Sequence, residues 1–162
     1  MSTGPIHDLL HRDHRGLAEL LDAASRGPQV DPAAYQAFRA GLLRHIGMEE
    51  KILLPAVKRL RGGQSLALAQ QMKLDHSALA ALLVPTPTPA ILARVRTLLD
   101  VHNAMEEGDE GVYAQCEQIA AGQLDALRRE LESAPAVKLA PHVDTPLVFA
   151  AIERLLRAAG RS

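Results

Sequence analysis

Two short pieces of this chain occur twice. Asp13 to Leu21 reads DHRGLAELL and Asp75 to Leu83 reads DHSALAALL, matching at Asp, His, Leu, Ala, Leu and Leu. His45 to Glu50 reads HIGMEE and His102 to Glu107 reads HNAMEE. The offsets are 62 and 57 residues. That period is long and the copies are few, which argues against a solenoid. A duplicated helical hairpin with a pseudo-two-fold axis between its copies satisfies both offsets. The first and second segments then correspond to the third and fourth.

The residue content supports helices. Leu and Ala dominate a chain that is 48% hydrophobic but only 2% aromatic, and both are strong helix formers. Stretches rich in Val, Ile, Thr or aromatics are scarce, so strands have little support. Asp31-Pro32, Thr88-Pro89 and Thr145-Pro146 each place a good N-cap before a proline suited to the first helical position; Gly4-Pro5 is a weaker version. Gly62-Gly63 breaks the chain, Ser65 is positioned to cap the next helix, and PTPTP at 85–89 excludes helix interior. These signals predict helices over about 5–26, 32–61, 65–83, from 89 toward 120 with a disturbance at Gly108 or Gly111, and 146–159. LESAPAVKLAPHVDTP reads as loop. The expected architecture is all-α: an up-down-up-down four-helix bundle with an additional C-terminal helix. One domain over 1–162 is expected, with a core at about 5–120 and an extension at 121–162. The last helix has an apolar side of Leu147, Val148, Ala151, Ile152, Leu155 and Leu156. It must cover that side with the bundle or with a second copy in a homodimer.

Net charge is −1, with both signs interspersed, so no basic footprint for nucleic acid and no polybasic membrane surface is expected. No apolar run reaches the roughly 18 residues of a membrane span. The opening MSTGPIHDLLHRDHRG lacks signal-peptide order, and the single Cys116 excludes an internal disulfide framework. A cytoplasmic location is the expectation.

Helical spacing decides where the histidines point. His45 and Glu49 fall within the stripe of Phe38, Leu42, Ile52, Ala56 and Leu60. His102 and Glu106 fall within that of Ile91, Val95 and Leu98. His14 sits among Leu10, Leu17 and Leu21, and His76 among Met72, Leu79 and Leu83. One His-x-x-x-Glu alone is usually a helix-surface pair, and one apolar-face histidine is usually a satisfied core residue. Four such faces, reproduced by a duplication, are a different matter. Burying lone ionised carboxylates costs several kcal/mol, and no Lys or Arg shares these stripes near Glu49 or Glu106. Protonated acids, carboxylate–imidazolium pairs and metal remain, and the convergent set favours metal. Imidazole plus carboxylate without thiolate suits iron, manganese or zinc. No Glu-x-x-His occurs in the sequence, against the ferritin-type arrangement.

These residues resemble the hemerythrin-like, His-His-Glu cation-binding domains, over about residues 5–120. The resemblance implies two non-haem irons with carboxylate and oxo or hydroxo bridges. It assigns His14, His45, Glu49, His76, His102 and Glu106 as ligands, with Glu49 and Glu106 bridging. Oxygen-carrying members place a second histidine four residues after the first on the third helix, where this chain has Ala80. Six protein ligands instead of seven leave both metals open. That weakens reversible oxygen carriage and favours reactivity toward oxygen, peroxide or nitric oxide. Asp109 is a candidate extra ligand if Gly108 leaves the helix intact. Glu50 and Glu107 lie further round, toward solvent or a neighbouring helix.

Asp13 and Asp75, each preceding a histidine, read equally as acceptors of an imidazole proton from a neighbouring ligand or as solvated helix acids. Tyr113 falls on the inner side, either as core or with its hydroxyl near the open site. Cys116 reads as a small buried hydrophobe. His11 is a weaker ligand choice than His14, and His7 and His142 look peripheral. Pro55 is expected to kink the second helix just past Glu49. Three functions emerge as expectations: a di-iron protein that binds or senses oxygen or nitric oxide, or stores iron; a di-iron redox enzyme acting on oxygen, peroxide or nitric oxide; and an interaction domain with a vestigial or zinc-filled site.

Overall fold

The computed structural model describes residues 4–162; Met1 to Thr3, counted in the 1–162 span, lie outside the described residues. Helix α1 is Pro5–Ser25, α2 Pro32–Met48, α3 Leu54–Leu60, α4 Ala69–Leu82 and α5 Pro89–Glu107. The remaining helices are α6 Val112–Ile119, α7 Leu124–Glu132 and α8 Pro146–Ala158. The expected caps form. Asp31 accepts from the amides of Ala33 and Ala34, Thr88 from Ile91, and Thr145 from Val148. Gly4 has no side chain to cap α1, and Glu117 of α6 supplies one by accepting from Ile6 and His7 at 2.7 and 2.8 Å.

The apolar core comes in two clusters. One gathers the C-terminal halves of α1 and α4 with the N-terminal halves of α2 and α5, including Leu21, Phe38, Leu79 and Val95. The other gathers the opposite ends, including Leu10, Met48, Met72 and Tyr113. That grouping is what an antiparallel bundle produces. The six predicted ligands fall between the clusters on every long helix. They form a polar layer across the middle of the bundle.

Four local features shape these helices: the interruptions at Pro55, Gly108 and Gly111 fall where the sequence placed a kink and a disturbance, and the late start of the third long helix departs from it. Between α2 and α3, Glu49–Leu53 is a π-helical turn, closed by the Leu54 amide donating to the Glu49 carbonyl. Pro55 has no amide proton for Lys51 and its ring would crowd that carbonyl, so the backbone widens into a π turn just before it. After Glu107 the helix stops at Gly108, whose backbone is extended, and Asp109 is left on an exposed turn. Gly111 packs so closely on α5 that an added Cβ would lie 2.5 Å from the Met105 carbonyl oxygen. From there α6 restarts and turns Tyr113 inward. The third long helix begins only at Ala69, with no side-chain cap; Ser65 stays in the preceding loop, where its carbonyl accepts from Arg61.

Residues 124–132, beyond the expected core boundary, form α7, which buries Leu127 and Leu131 against α1 and the π turn. The loop after α7 is tied down by buried Arg39, donating to the Ala140 carbonyl, and by Arg44, donating to Ala134 and Glu132. His142, peripheral as expected, links Gln36 to the Val84 carbonyl. Helix α8 lies on α4 and buries Ile152 and Leu156 in this chain's own core, while Leu147 stays 83% exposed. No helix among the described residues is long and apolar enough to cross a membrane.

Candidate metal centre

All six predicted residues converge, and all are buried. His14 Nε2 and His45 Nε2 are 3.0 Å apart, and His76 Nε2 and His102 Nε2 are 3.2 Å apart. These pairs are two half-sites. Glu106 spans them, with Oε1 3.2 Å from His14 Nε2 and Oε2 3.0 Å from His102 Nε2. Glu49 Oε1 sits between them, 3.4 Å from His45 Nε2 and 3.3 Å from His76 Nε2. Donor atoms of Glu49, His76, His102 and Glu106 all lie within 4.8 Å of one another, as do those of His14, His45 and Glu106.

The outer nitrogens explain the orientation of the rings. His45 Nδ1 faces Asp13 at 2.7 Å, His102 Nδ1 faces Asp75 at 2.9 Å, and His14 Nδ1 faces Glu107 at 2.5 Å. His76 Nδ1 lies 3.7 Å from Glu50, in ion-pair range but too far for a hydrogen bond. An ionised carboxylate only accepts, so the facing Nδ1 carries the proton. In a neutral ring Nε2 then presents a lone pair inward. Two lone pairs 3.0 Å apart repel unless a proton or a cation lies between them. The carboxylates make the same demand: Glu49 Oε1 and Glu106 Oε2 are buried without a well-aligned hydrogen-bond donor. The donor set fits a cation, with carboxylate-backed imidazoles as in known metal centres.

A family model described as the hemerythrin HHE cation binding domain matches residues 6–134. The chain belongs to that family. No curated protein and no solved structure matches it. The HHE match takes in α7, which the sequence expectation had placed in an extension beyond residue 120, and stops short of α8.

Without a metal, the HHE cluster balances its charge with protons. Burial disfavours the imidazolium of His14, but hydrogen bonds to Glu106 and Glu107 outweigh it and raise the group to about 9. The same contest raises His102 to about 9 through Asp75 and Glu106, and His76 to about 10 through Glu49 and Glu50. On the acid side, burial works against the charged forms, yet His102, Arg161 and Gln71 hold Asp75 down at about 2. Glu106 is likewise held well below its ordinary range despite burial, by His102 and His14. The cluster is a network of ion pairs buried between two apolar layers.

Tyr113 is completely buried beside it. Its hydroxyl donates to Glu49 Oε2 at 2.8 Å or Glu106 Oε1 at 3.0 Å, and lies 3.1 Å from His14 Nε2. Burial and the two nearby carboxylates push its phenol up, so the proton stays on oxygen. Cys116 is a buried hydrophobe, its thiol pushed up to about 12 chiefly by burial. The structure does not bring Asp109 to the site. It does bring Glu107, which joins His14 and, at 3.0 Å, the half-exposed His11. His7 does not join the cluster: its Nε2 faces the Glu107 carbonyl at 3.2 Å and its ring meets Tyr113 edge-on. The signal for Glu50 and Glu107 was present in the sequence: the duplication repeats both acids, and each sits one residue past a ligand position, facing the adjoining helix.

Proposed function

We propose that this is a non-haem di-iron protein that binds or senses oxygen or nitric oxide, or handles iron. In this reading His14, His45, Glu49, His76, His102 and Glu106 are the protein ligands, and Glu49 and Glu106 bridge the metals. Manganese or zinc would suit the same donors. The observation that carries the ligand class is a cavity of about 50 Å³ that touches all four histidines. Its other walls include Leu17, Leu21, Leu42, Leu79 and Leu99, with Arg96, Asp100 and Asn103 as the polar part. A single water needs about 10–15 Å³, so the space suits a diatomic molecule or a peroxide.

A di-iron redox enzyme acting on oxygen, peroxide or nitric oxide is the second reading, favoured by Tyr113. When bound, the metal pair would supply electrons to a small oxidant. Tyr113 does not line the cavity; its hydroxyl holds a proton against Glu49 and Glu106 within the dry core, so it would reach a bound species only through those two carboxylates.

Anaerobic loading of the purified chain with iron(II), then metal analysis and optical spectra as oxygen is admitted, tests the proposal. Two irons per chain and an oxygen-dependent absorption are expected. His45→Ala with His102→Ala should abolish binding of two metals, and unchanged stoichiometry would reject the ligand assignment. Turnover under peroxide or nitric oxide, set against reversible binding, separates the two readings.

A further inference from the structure

The two half-sites have the same ligands by duplication but unequal support. Asp13, behind His45, is one-third exposed and has His45 as its short partner. Asp75, its counterpart behind His102, is fully buried. Arg161, just beyond α8, grips it with a fork: Nε to Oδ1 at 3.0 Å and Nη2 to Oδ2 at 3.1 Å. Gln71 completes the clamp, donating to Asp75 Oδ1 and to the Ala159 carbonyl, both at 2.9 Å. Arg161 lies outside the family match at 6–134, so the general HHE pattern does not account for this fork.

We propose that Arg161 is a positioning residue for one half of the metal centre. By fixing Asp75 it fixes His102 firmly enough to outweigh the looser backing of His76, whose Nδ1 stands 3.7 Å from Glu50, so the half held by His76 and His102 keeps its metal longer than the half held by His14 and His45. This rests on the metal-binding reading above. Two effects of the guanidinium oppose each other. Its charge draws density from Asp75, which makes His102 a slightly poorer donor. Its fork stops the carboxylate from turning, which holds the imidazole in place. Asp75 is completely buried with Arg161 and Gln71 in place, so the fork and not solvent sets its orientation and immobilisation wins; a bidentate fork is geometry that arginine supplies and lysine does not. Partners behind a metal-bound histidine are worth about 10–100-fold in metal affinity. Arg161 stands one bond further out, which places its effect near the lower end, about tenfold.

Full-length protein loaded anaerobically with iron(II) is mixed with excess chromogenic chelator and the release is monitored in time. The wild type should give a fast and a slow phase of one iron each. Arg161→Gln should speed the slow phase about tenfold and leave the fast one alone. Arg161→Lys should recover only part of the loss, and Asp13→Asn should speed the fast phase instead. Circular dichroism melts of the metal-free variants show that each is folded. A single wild-type phase, equal acceleration of both phases by Arg161→Gln, or slower release from that variant overturns the inference. A folded wild type that takes up no iron overturns the metal reading itself.

Discussion

Metal uptake by this protein must expel protons, and the structure sets how many. In the metal-free cluster His14 and His102 titrate at about 9 and His76 at about 10, so at pH 7 each favours the imidazolium. The Nδ1 protons of His14 and His102 are donated to Glu107 and Asp75 and the Nδ1 of His76 faces Glu50 at 3.7 Å, so the proton lost to a metal is the one on Nε2. Three raised histidines set an upper count of three. Repulsion between His76 and His102, whose Nε2 atoms are 3.2 Å apart, trims it. Loading two divalent cations at pH 7 should therefore release about two to three protons from the imidazoles. A bridging hydroxide drawn from water would add to that number. Affinity then rises with pH, by about a hundred- to a thousandfold per unit in the two-metal constant. The dependence flattens as pH passes 9 to 10, where the histidines lose these protons unaided. Manganese(II) titration by calorimetry, repeated in buffers of different ionisation heat, counts the protons directly. Release of one proton or fewer by the wild type would refute the charge assignment, because the buried glutamates would then be neutralised by something other than imidazolium.

The same protons govern metal-free stability. The raised histidines contribute fully below 6.5 and lose that contribution as pH rises through 9 to 10, whereas Asp75 contributes above 3.8 and loses it toward 2. The metal-free melting temperature should peak between these limits and fall on the alkaline side; a metal-free melting temperature that climbs from pH 7 to 9 contradicts this. Tyr113→Phe removes the donor to Glu49 and Glu106 and should destabilise the metal-free fold by about 1–3 kcal/mol in chemical denaturation; a neutral result would mean that the hydroxyl is not shared as described. Gly111→Ala puts a methyl 2.7 Å from the Glu106 carbonyl oxygen and should cost about 1–3 kcal/mol, with loss of metal stoichiometry, read by melting and metal analysis. Asp31→Ala leaves the amides of Ala33 and Ala34 uncapped and should cost about 1 kcal/mol without altering metal content.

Much of this site was legible in the sequence because its signal is periodic. His14, His45, His76 and His102 each continue an apolar stripe, and a duplication that preserves stripe and polar residue together reports a shared interior. The proline-preceded caps were equally plain, since Asp31, Thr88 and Thr145 act on amides two or three residues away. What was missed depended on distant partners or on loop contacts. Glu117 caps α1 across more than a hundred residues, and Ser65 is held in its loop by Arg61 instead of starting a helix. Helix α7 carries Leu124, Leu127 and Leu131 at helical spacing, but it comes after Gly122 and has only Ala126 as a further apolar residue, so the pattern is short and thin. Arg161 reaching Asp75 across 86 residues has no local signature at all.

The two copies of the motif diverge just after their shared Glu-Glu, and there the two half-sites stop being equivalent. The first copy continues as Lys51-Ile52-Leu53-Leu54-Pro55-Ala56, the second as Gly108-Asp109-Glu110-Gly111-Val112-Tyr113. Proline in the first forces a π turn but keeps the chain helical, and buried Ala56 presents no polar atom. Glycines in the second let the helix end and restart, and the restart brings the Tyr113 hydroxyl within 3.1 Å of His14 Nε2. One half-site therefore gains a phenol on its inner side while the other gains an arginine clamp behind it. Ligand identity is symmetric because it descends from the repeat; proton supply and rigidity differ because they come from residues the repeat does not share. In the proposed two-metal centre the pair would be inequivalent, a polarity that six matched ligands could not create alone.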